Sequence, residues 1–369
     1  MTQPASKRLL TEANAPTITG ARAQEDGSGS RGPNFIAGHE DNTVASDLGS
    51  TSISGGGQAG YNNVIGGDGS TTVNTATPNA TQTGTDAHYS VIAGGYDNVA
   101  GGLASIILGF HNYTAIGTTH STITGGSINK ITKPGATNNY STIGGGTANT
   151  ASQSGATIAG GNTNTASGSG STVGGGNTCT ASGSTSTIGG GQNNLASGIA
   201  STIPGGRENT ASGATSTAIG RDVLSDQIGE LGYASGKFAA QGDAQVRRFA
   251  VRNTSTDATA TDLFLDGTAT RPQIPADSTW FVTAKVVARR TDADNESAAY
   301  RLEACIDRNA GSTAALVGSV TQTVVGEDTA AWDVTLTVNT SGTINVRATG
   351  EAGKTVRWVA LIEAIQVTG

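Results

Sequence analysis

The side chains suited to chemistry are few and unevenly placed. Four histidines, His39, His88, His111 and His120, all lie in the first third, and no acidic residue stands between Asp97 and Glu208. Cleavage of a glycosidic bond uses two carboxylates on facing positions, so residues 98–207 offer no pair of their own. His111 and His120 are read as solvent-facing or packing residues without a nearby carboxylate, rather than as metal ligands. Glycine strings such as 189–191 lack the lysine and the strand-to-helix setting of a phosphate loop, and no aspartate recurs in every unit as calcium-binding repeats require. Cys179 and Cys305 are too few for a disulfide framework. The expectation is a protein that is not an enzyme and needs no cofactor or metal.

Five residues could instead serve recognition: Trp280, Arg289, Arg290, Trp332 and Trp358. Indole faces pack against sugar rings, and the paired arginines could meet an anionic glycan. The same tryptophans fall in alternating apolar patterns, where core packing is the plainer reading, and the arginines also suit solvated strand ends. All five stand as candidate receptor contacts.

The element carrying them is residues 246–369, which alternate with period two. Tyr300, Leu302, Ala304 and Ile306 oppose Arg301, Glu303 and Asp307, and Trp332, Val334, Leu336 and Val338 oppose Asp333, Thr335 and Thr337. Further windows are 279–288, 315–325, 343–348 and 356–367, with weaker ones at 246–251 and 262–265. Several short strands separated by Asp, Gly and Asn turns, without a helical period, predict an antiparallel β-sandwich.

Upstream the composition changes. Glycine supplies 55 of 369 residues, and residues 92–219 carry only Asp97, Lys130, Lys133, Arg207 and Glu208 as charges. An aliphatic column runs through Ile92, Ile107, Ile123, Ile143, Ile158, Val173, Ile188, Ile203 and Ile219, mostly at fifteen-residue steps. Looser units sit at Ile36, Ile53 and Ile65, an insertion fills 70–86, and Lys-Pro-Gly interrupts at 133–135. Alanines (Ala151, Ala166, Ala181, Ala196, Ala211), asparagines (Asn149, Asn164, Asn194, Asn209, with Cys179 in register) and threonines (Thr142, Thr157, Thr172, Thr187, Thr202) keep the same beat. Glycines at this density exclude a helical solenoid, since each costs about 1 kcal/mol in a helix interior. A short Ser-Thr-Ile stretch with glycine corners, and Asn where a left-handed turn is tolerated, predicts one coil of a parallel β-solenoid.

Ordering such a coil costs at least ~15 kcal/mol of backbone entropy, against ~3 kcal/mol from burying one Ile and one Ala. That imbalance predicts that identical neighbours supply the missing interior, with the Ile and Ala columns brought together about a common axis. Net charge of −7 argues against a nucleic-acid partner. No apolar run reaches the ~18 residues that span a bilayer, so membrane insertion is not expected, and the start, with only Leu9 and Leu10 as an apolar pair, does not look like a secretory leader.

Ala211-Ser212-Gly213 followed by Ser216-Thr217-Ala218-Ile219-Gly220 resembles the head repeats of trimeric autotransporter adhesins, over about half the chain. Two further stretches, 236–245 (GKFAAQGDAQ) and 291–300 (TDADNESAAY), resemble bacteriophage tail-fibre sequence. The resemblance implies a homotrimeric left-handed parallel β-roll, and the number three comes from it alone. It implies an all-β tail fibre: 1–34 attaching to a baseplate or tail protein of the virion, 35–220 a β-solenoid (β-roll) shaft, 221–245 a linker, and 246–369 a β-sandwich head that binds a host surface glycan or lipopolysaccharide. Such a protein would be assembled in the host cytoplasm and reside in the virion tail. Two alternatives are a secreted bacterial adhesin of autotransporter-head type and an ice-binding solenoid presenting its threonine columns to water.

Overall fold

The structure is a computed structural model, and it describes residues 22–24, 34–44, 50–57, 63–66, 89–115, 118–132, 140–293, 295–311 and 313–369. The attachment segment expected at 1–34 falls largely outside them, as do His88 and the insertion at 70–86. Among the described residues every regular element is a β-strand or bridge and none is a helix. The chain divides into two compact units, Met1–Thr185 and Ser186–Gly369.

Among the described residues the first unit is a parallel β-solenoid of eight coils, each with two short strands on opposite sides. Thr142–Ile143 pairs in parallel with Thr122–Ile123 and Thr157–Ile158, and Thr150–Ala151 pairs with Lys130–Ile131 and Thr165–Ala166. The threonines face outward, half-buried, while Ile and Ala turn inward. Ile92, Ile107, Ile123, Ile143, Ile158 and Val173 are each 0% exposed within one chain. Within one chain the stacked coils already close over the Ile and Ala columns, which form the solenoid core and present no face to neighbouring copies.

The missing interior is supplied by asparagine. The Asn149 backbone N–H donates to Asn129 Oδ1 (3.1 Å), Asn164 N–H to Asn149 Oδ1 (2.9 Å) and Cys179 N–H to Asn164 Oδ1 (2.9 Å). Each Nδ2 closes the glycine corner, Asn149 donating to the carbonyls of Gly145 (2.9 Å) and Gly161 (3.0 Å). Asparagine was expected at the left-handed turn. That conformation belongs instead to the preceding residue, Ala148 at φ 56° and Thr163 at φ 55°, and Asn lies buried as a polar ladder with its hydrogen-bonding capacity used. Gly161 is at φ +93°, and a Cβ there would sit 2.2 Å from the Gly176 carbonyl oxygen, so only glycine fits.

The second unit begins with three coils of the same design and runs into an antiparallel domain. Its aliphatic column is Ile188, Ile203 and then Ala218, all 0% exposed. Thr202 pairs with Thr217, which sets Ala218 in line with Ile203 and leaves Ile219 39% exposed; Ile219 is corrected from core to surface. Leu231–Ser235 is the turning point, parallel to Thr217–Arg221 on one side and antiparallel to Ala244–Ser255 on the other. From there a sheet continues through Val356–Thr368, Ser278–Arg290 and Ser297–Arg308 to Ala314–Leu316 and Thr321–Glu327. A smaller sheet, Thr261–Asp262, Ile344–Thr349 and Asp333–Val338, covers the inner face. Between them lies one core containing Phe249, Trp280, Leu302, Leu336 and Trp358. The other face of the larger sheet carries Phe281, Val287, Val359, Leu361, Ile365 and Val367, all exposed.

Candidate functional site

A cleft of about 590 Å³ opens in the second unit. Its apolar lining comes from Leu265, Ile274 and Pro275, and its polar lining includes Asp226, Arg271, Gln273, Arg308 and Thr343. Each wall is held by a different device.

The Asp226–Gln227 turn follows the last coil and is pinned by Glu230, whose Oε2 accepts the N–H of Asp226 (3.0 Å) and of Gln227 (3.0 Å). Glu230 is 1% exposed and Arg247 is 0% exposed. Arg247 donates to Asp226 Oδ1 at 2.9 Å, lies 3.5 Å from Glu230 Oε1, and its guanidinium sits 5.6 Å from the Trp280 ring centre. Burial pushes the Glu230 carboxyl up to about 7, against the pull of the Arg247 charge. Gln227 and Gln273 then exchange hydrogen bonds, Nε2 to the Gln273 carbonyl and Gln273 N–H to Oε1, both 2.8 Å.

On the other side, Asp266 folds its own loop by accepting the N–H groups of Thr268 (2.9 Å), Ala269 (2.9 Å) and Thr270 (3.1 Å). Those bonds hold its carboxyl well below the usual range and place Ala269 and Thr270 at the rim. Arg271 pairs with Asp262, donates to Asn345 Oδ1 (3.0 Å) and lies over the Phe264 ring at 5.4 Å. Arg308 donates from Nη1 to the Ile274 carbonyl (2.7 Å), while its Nε is buried without a partner. An apolar lining with converging donors and acceptors is chemistry suited to a polyhydroxylated ring, apolar on its C–H face and polar at its edge.

The residues expected as contacts lie elsewhere. Trp280, Trp332 and Trp358 are 0%, 2% and 1% exposed. Trp280 Nε1 donates to Gln366 (2.9 Å) and Trp358 Nε1 to Ser255 (2.8 Å), while the Trp332 and Trp358 rings meet at 5.6 Å. They present no face to a ligand in this arrangement, and the core reading holds. Arg289 is exposed at the end of Ser278–Arg290; Arg290 is tied to Asp292 (3.0 Å) and Glu296 (3.3 Å). Neither reaches the cleft. The cleft residues, scattered from 226 to 343, form no motif. One signal was available: Arg247 occupies the inward phase of a strand with Phe249 and Val251, and an arginine there calls for a buried partner.

Carboxylates also stand closer to other charges than spacing suggested. In the first unit, Asp97 Oδ2 lies 2.7 Å from His111 Nδ1, contrary to the expectation that His111 has no carboxylate nearby. At this step Tyr96 bridges Phe110, so consecutive coils stack residues fourteen apart. Burial raises the Asp97 pKa, and His111 opposes it. In the second unit Glu208 and Asp222 share Lys237, at 3.2 and 2.9 Å, so two carboxylates do meet on adjacent coils. Among the described residues no group of three His, Cys, Asp or Glu is arranged to hold a metal ion.

No family model matches the chain, and no curated protein does. Solved structures similar to it include three phage tailspikes. The tailspike protein of Acinetobacter baumannii phage AM24 is 9% identical with a TM-score of 0.27, covering 91% of this chain and 77% of the other. The tailspike of A. baumannii bacteriophage Fri1, described as a capsular polysaccharide depolymerase, is 7% identical with a TM-score of 0.21, covering 85% and 69%. The tailspike of Acinetobacter phage vB_ApiP_P1 is 9% identical with a TM-score of 0.25, covering 88% and 64%. The expectation that the chain is not an enzyme is corrected: a tailspike similar to it is described as a capsular polysaccharide depolymerase.

Proposed function

We propose that the chain is a virion protein, a tail fibre that attaches a phage to the surface of its host through the domain 246–369. The observation that carries the reading lies within the second unit, where a self-templating coil stack passes through Leu231–Ser235 into an antiparallel domain bearing an open, mixed-polarity cleft. The cleft suits a surface glycan or lipopolysaccharide, and residues 1–34 serve as the segment that docks on a baseplate or tail protein.

The working form is a homotrimer whose two-sheet, sandwich-like domains pack through the outer sheet face. Phe281 is in register with Ile365 and Val287 with Val359, giving an apolar surface that copies of the same chain would cover. Contiguous apolar patches beyond a few hundred Å² mark interaction surfaces. A trimer holds three weak sites together, so attachment gains by avidity.

The test is antiserum against the full chain applied to purified virions and to host cells. Labelling of tails, together with binding of the labelled full chain to host cells, is the expected outcome. Labelling confined to a bacterial envelope overturns the reading in favour of a secreted adhesin.

A further inference from the structure

We infer that the cleft binds an anionic sugar, one carrying a carboxylate or a phosphate, and that Arg308 is the residue that selects the charge. The inference rests on the attachment reading for its biological setting, but its chemistry is local. Three charged residues line the cleft: Asp226, Arg271 and Arg308. Asp226 is matched by Arg247 at 2.9 Å, and Arg271 is matched by Asp262. Arg308 makes its described bond to a neutral acceptor, the Ile274 carbonyl at 2.7 Å. Its Nε is buried and unpartnered, and among the described residues no carboxylate lies within 4.0 Å of its nitrogens. Asp277 and Asp307 line a smaller neighbouring cleft that also touches Arg308, without pairing with it at that distance. The larger cleft therefore holds one cation in excess.

A buried donor without a partner costs on the order of 1–3 kcal/mol, and more when charged, so an acceptor that reaches it gains what the free protein lacks. An oxyanion is the natural complement, because guanidinium nitrogens form a fork that matches carboxylate and phosphate. Neutral sugars bring hydroxyls that accept more weakly. Leu265, Ile274 and Pro275 offer the apolar side on which the ring would lie, with Gln273 and Thr343 within the same cleft for its hydroxyls. Recognition of this kind discriminates strongly, since a neutral analogue leaves the charged donor unmet.

The experiment titrates the full chain with D-glucuronate, with glucose 1-phosphate and with glucose, reading saturation transfer from protein to sugar protons. Glucuronate or glucose 1-phosphate is expected to bind at least tenfold more tightly than glucose, and the two acids distinguish a carboxylate from a phosphate target. Ala269→Glu adds a negative charge at the rim, where Ala269 is exposed and only its backbone bonds to Asp266. It is expected to weaken the acid at least fivefold without changing the far-ultraviolet circular dichroism. Arg308→Lys should retain part of the preference that Arg308→Gln abolishes. Equal binding of all three sugars, or acid binding indifferent to Ala269→Glu, overturns the inference. Host-cell binding that persists in Ala269→Glu alongside such indifference removes the cleft and leaves attachment standing; loss of host-cell binding by the unaltered chain removes attachment instead.

Discussion

Glu230 holds a proton that an exposed glutamate would release. Its pKa stands at about 7 against an ordinary 4.5, so the folded chain binds that proton more tightly than the unfolded chain does. The stability from this group is therefore complete below about 4.5 and is lost as pH rises through about 7. The shift corresponds to on the order of 3 kcal/mol. Urea midpoints of the full chain should fall between pH 5 and pH 8, and Glu230→Gln, which keeps an acceptor for the Asp226 and Gln227 N–H groups, should flatten that fall. Parallel pH profiles for the two proteins would show that Glu230 is not the group responsible. Residue types were legible here in part. The tryptophans sit where alternation puts them, inside, whereas the partners of Arg247 and Arg308 depend on a turn at 226 and a loop at 274, brought together only by folding. Asp97 and His111 were missed because fourteen residues along the chain is one coil in space.

A coil stands or falls by its asparagine. Replacing Asn149 with Ala removes the acceptor for the Asn164 N–H and the donor to the Gly145 and Gly161 carbonyls. With buried unmet groups at ~1–3 kcal/mol each, partly relieved by relaxation, the full chain should lose about 2–4 kcal/mol in a urea titration. Thr150→Ala, one position along and half-buried, should stay within about 0.5 kcal/mol. Equal effects of the two substitutions would deny the ladder its part. The fifteen-residue beat made the solenoid readable, and the strand windows of 246–369 read from alternation coincide with strands such as Ser278–Arg290 and Ser297–Arg308. Two details escaped. The polar filling was hidden because asparagine at a corner usually signals a turn, and Ile219 drew the alignment one residue too far because Ala218, small and unremarkable, takes the inner place.

For the whole molecule, the energetic case for company has shifted ground. Columns first assigned to contacts between copies are consumed within each chain, and the apolar surface left for a neighbour is the outer face of the C-terminal sheet. Light scattering on the full chain should give the mass of three chains rather than the 36.6 kDa of one. Ile365→Lys, at a position 56% exposed, should return it to single chains with unchanged circular dichroism. A wild-type mass of one chain would dissolve the trimer while leaving the fold intact. Sequence could argue for copies but not for the proposed meeting face, because that face is made of residues alternating outward on strands whose inner faces carry the stronger signal.

The ladder inside the first unit also bears on heredity. From Asn42 to Asn164 each rung presents to the next the same amide acceptor that it takes from the one before, so a tandem duplication or loss of one such coil's codons hands the neighbouring asparagines a partner identical to the old one, up to Cys179, where the amide is missing. The number of coils can thus drift by whole steps through slipped recombination, while the cleft, built from residues scattered between 226 and 343, is left to change by ordinary point substitution.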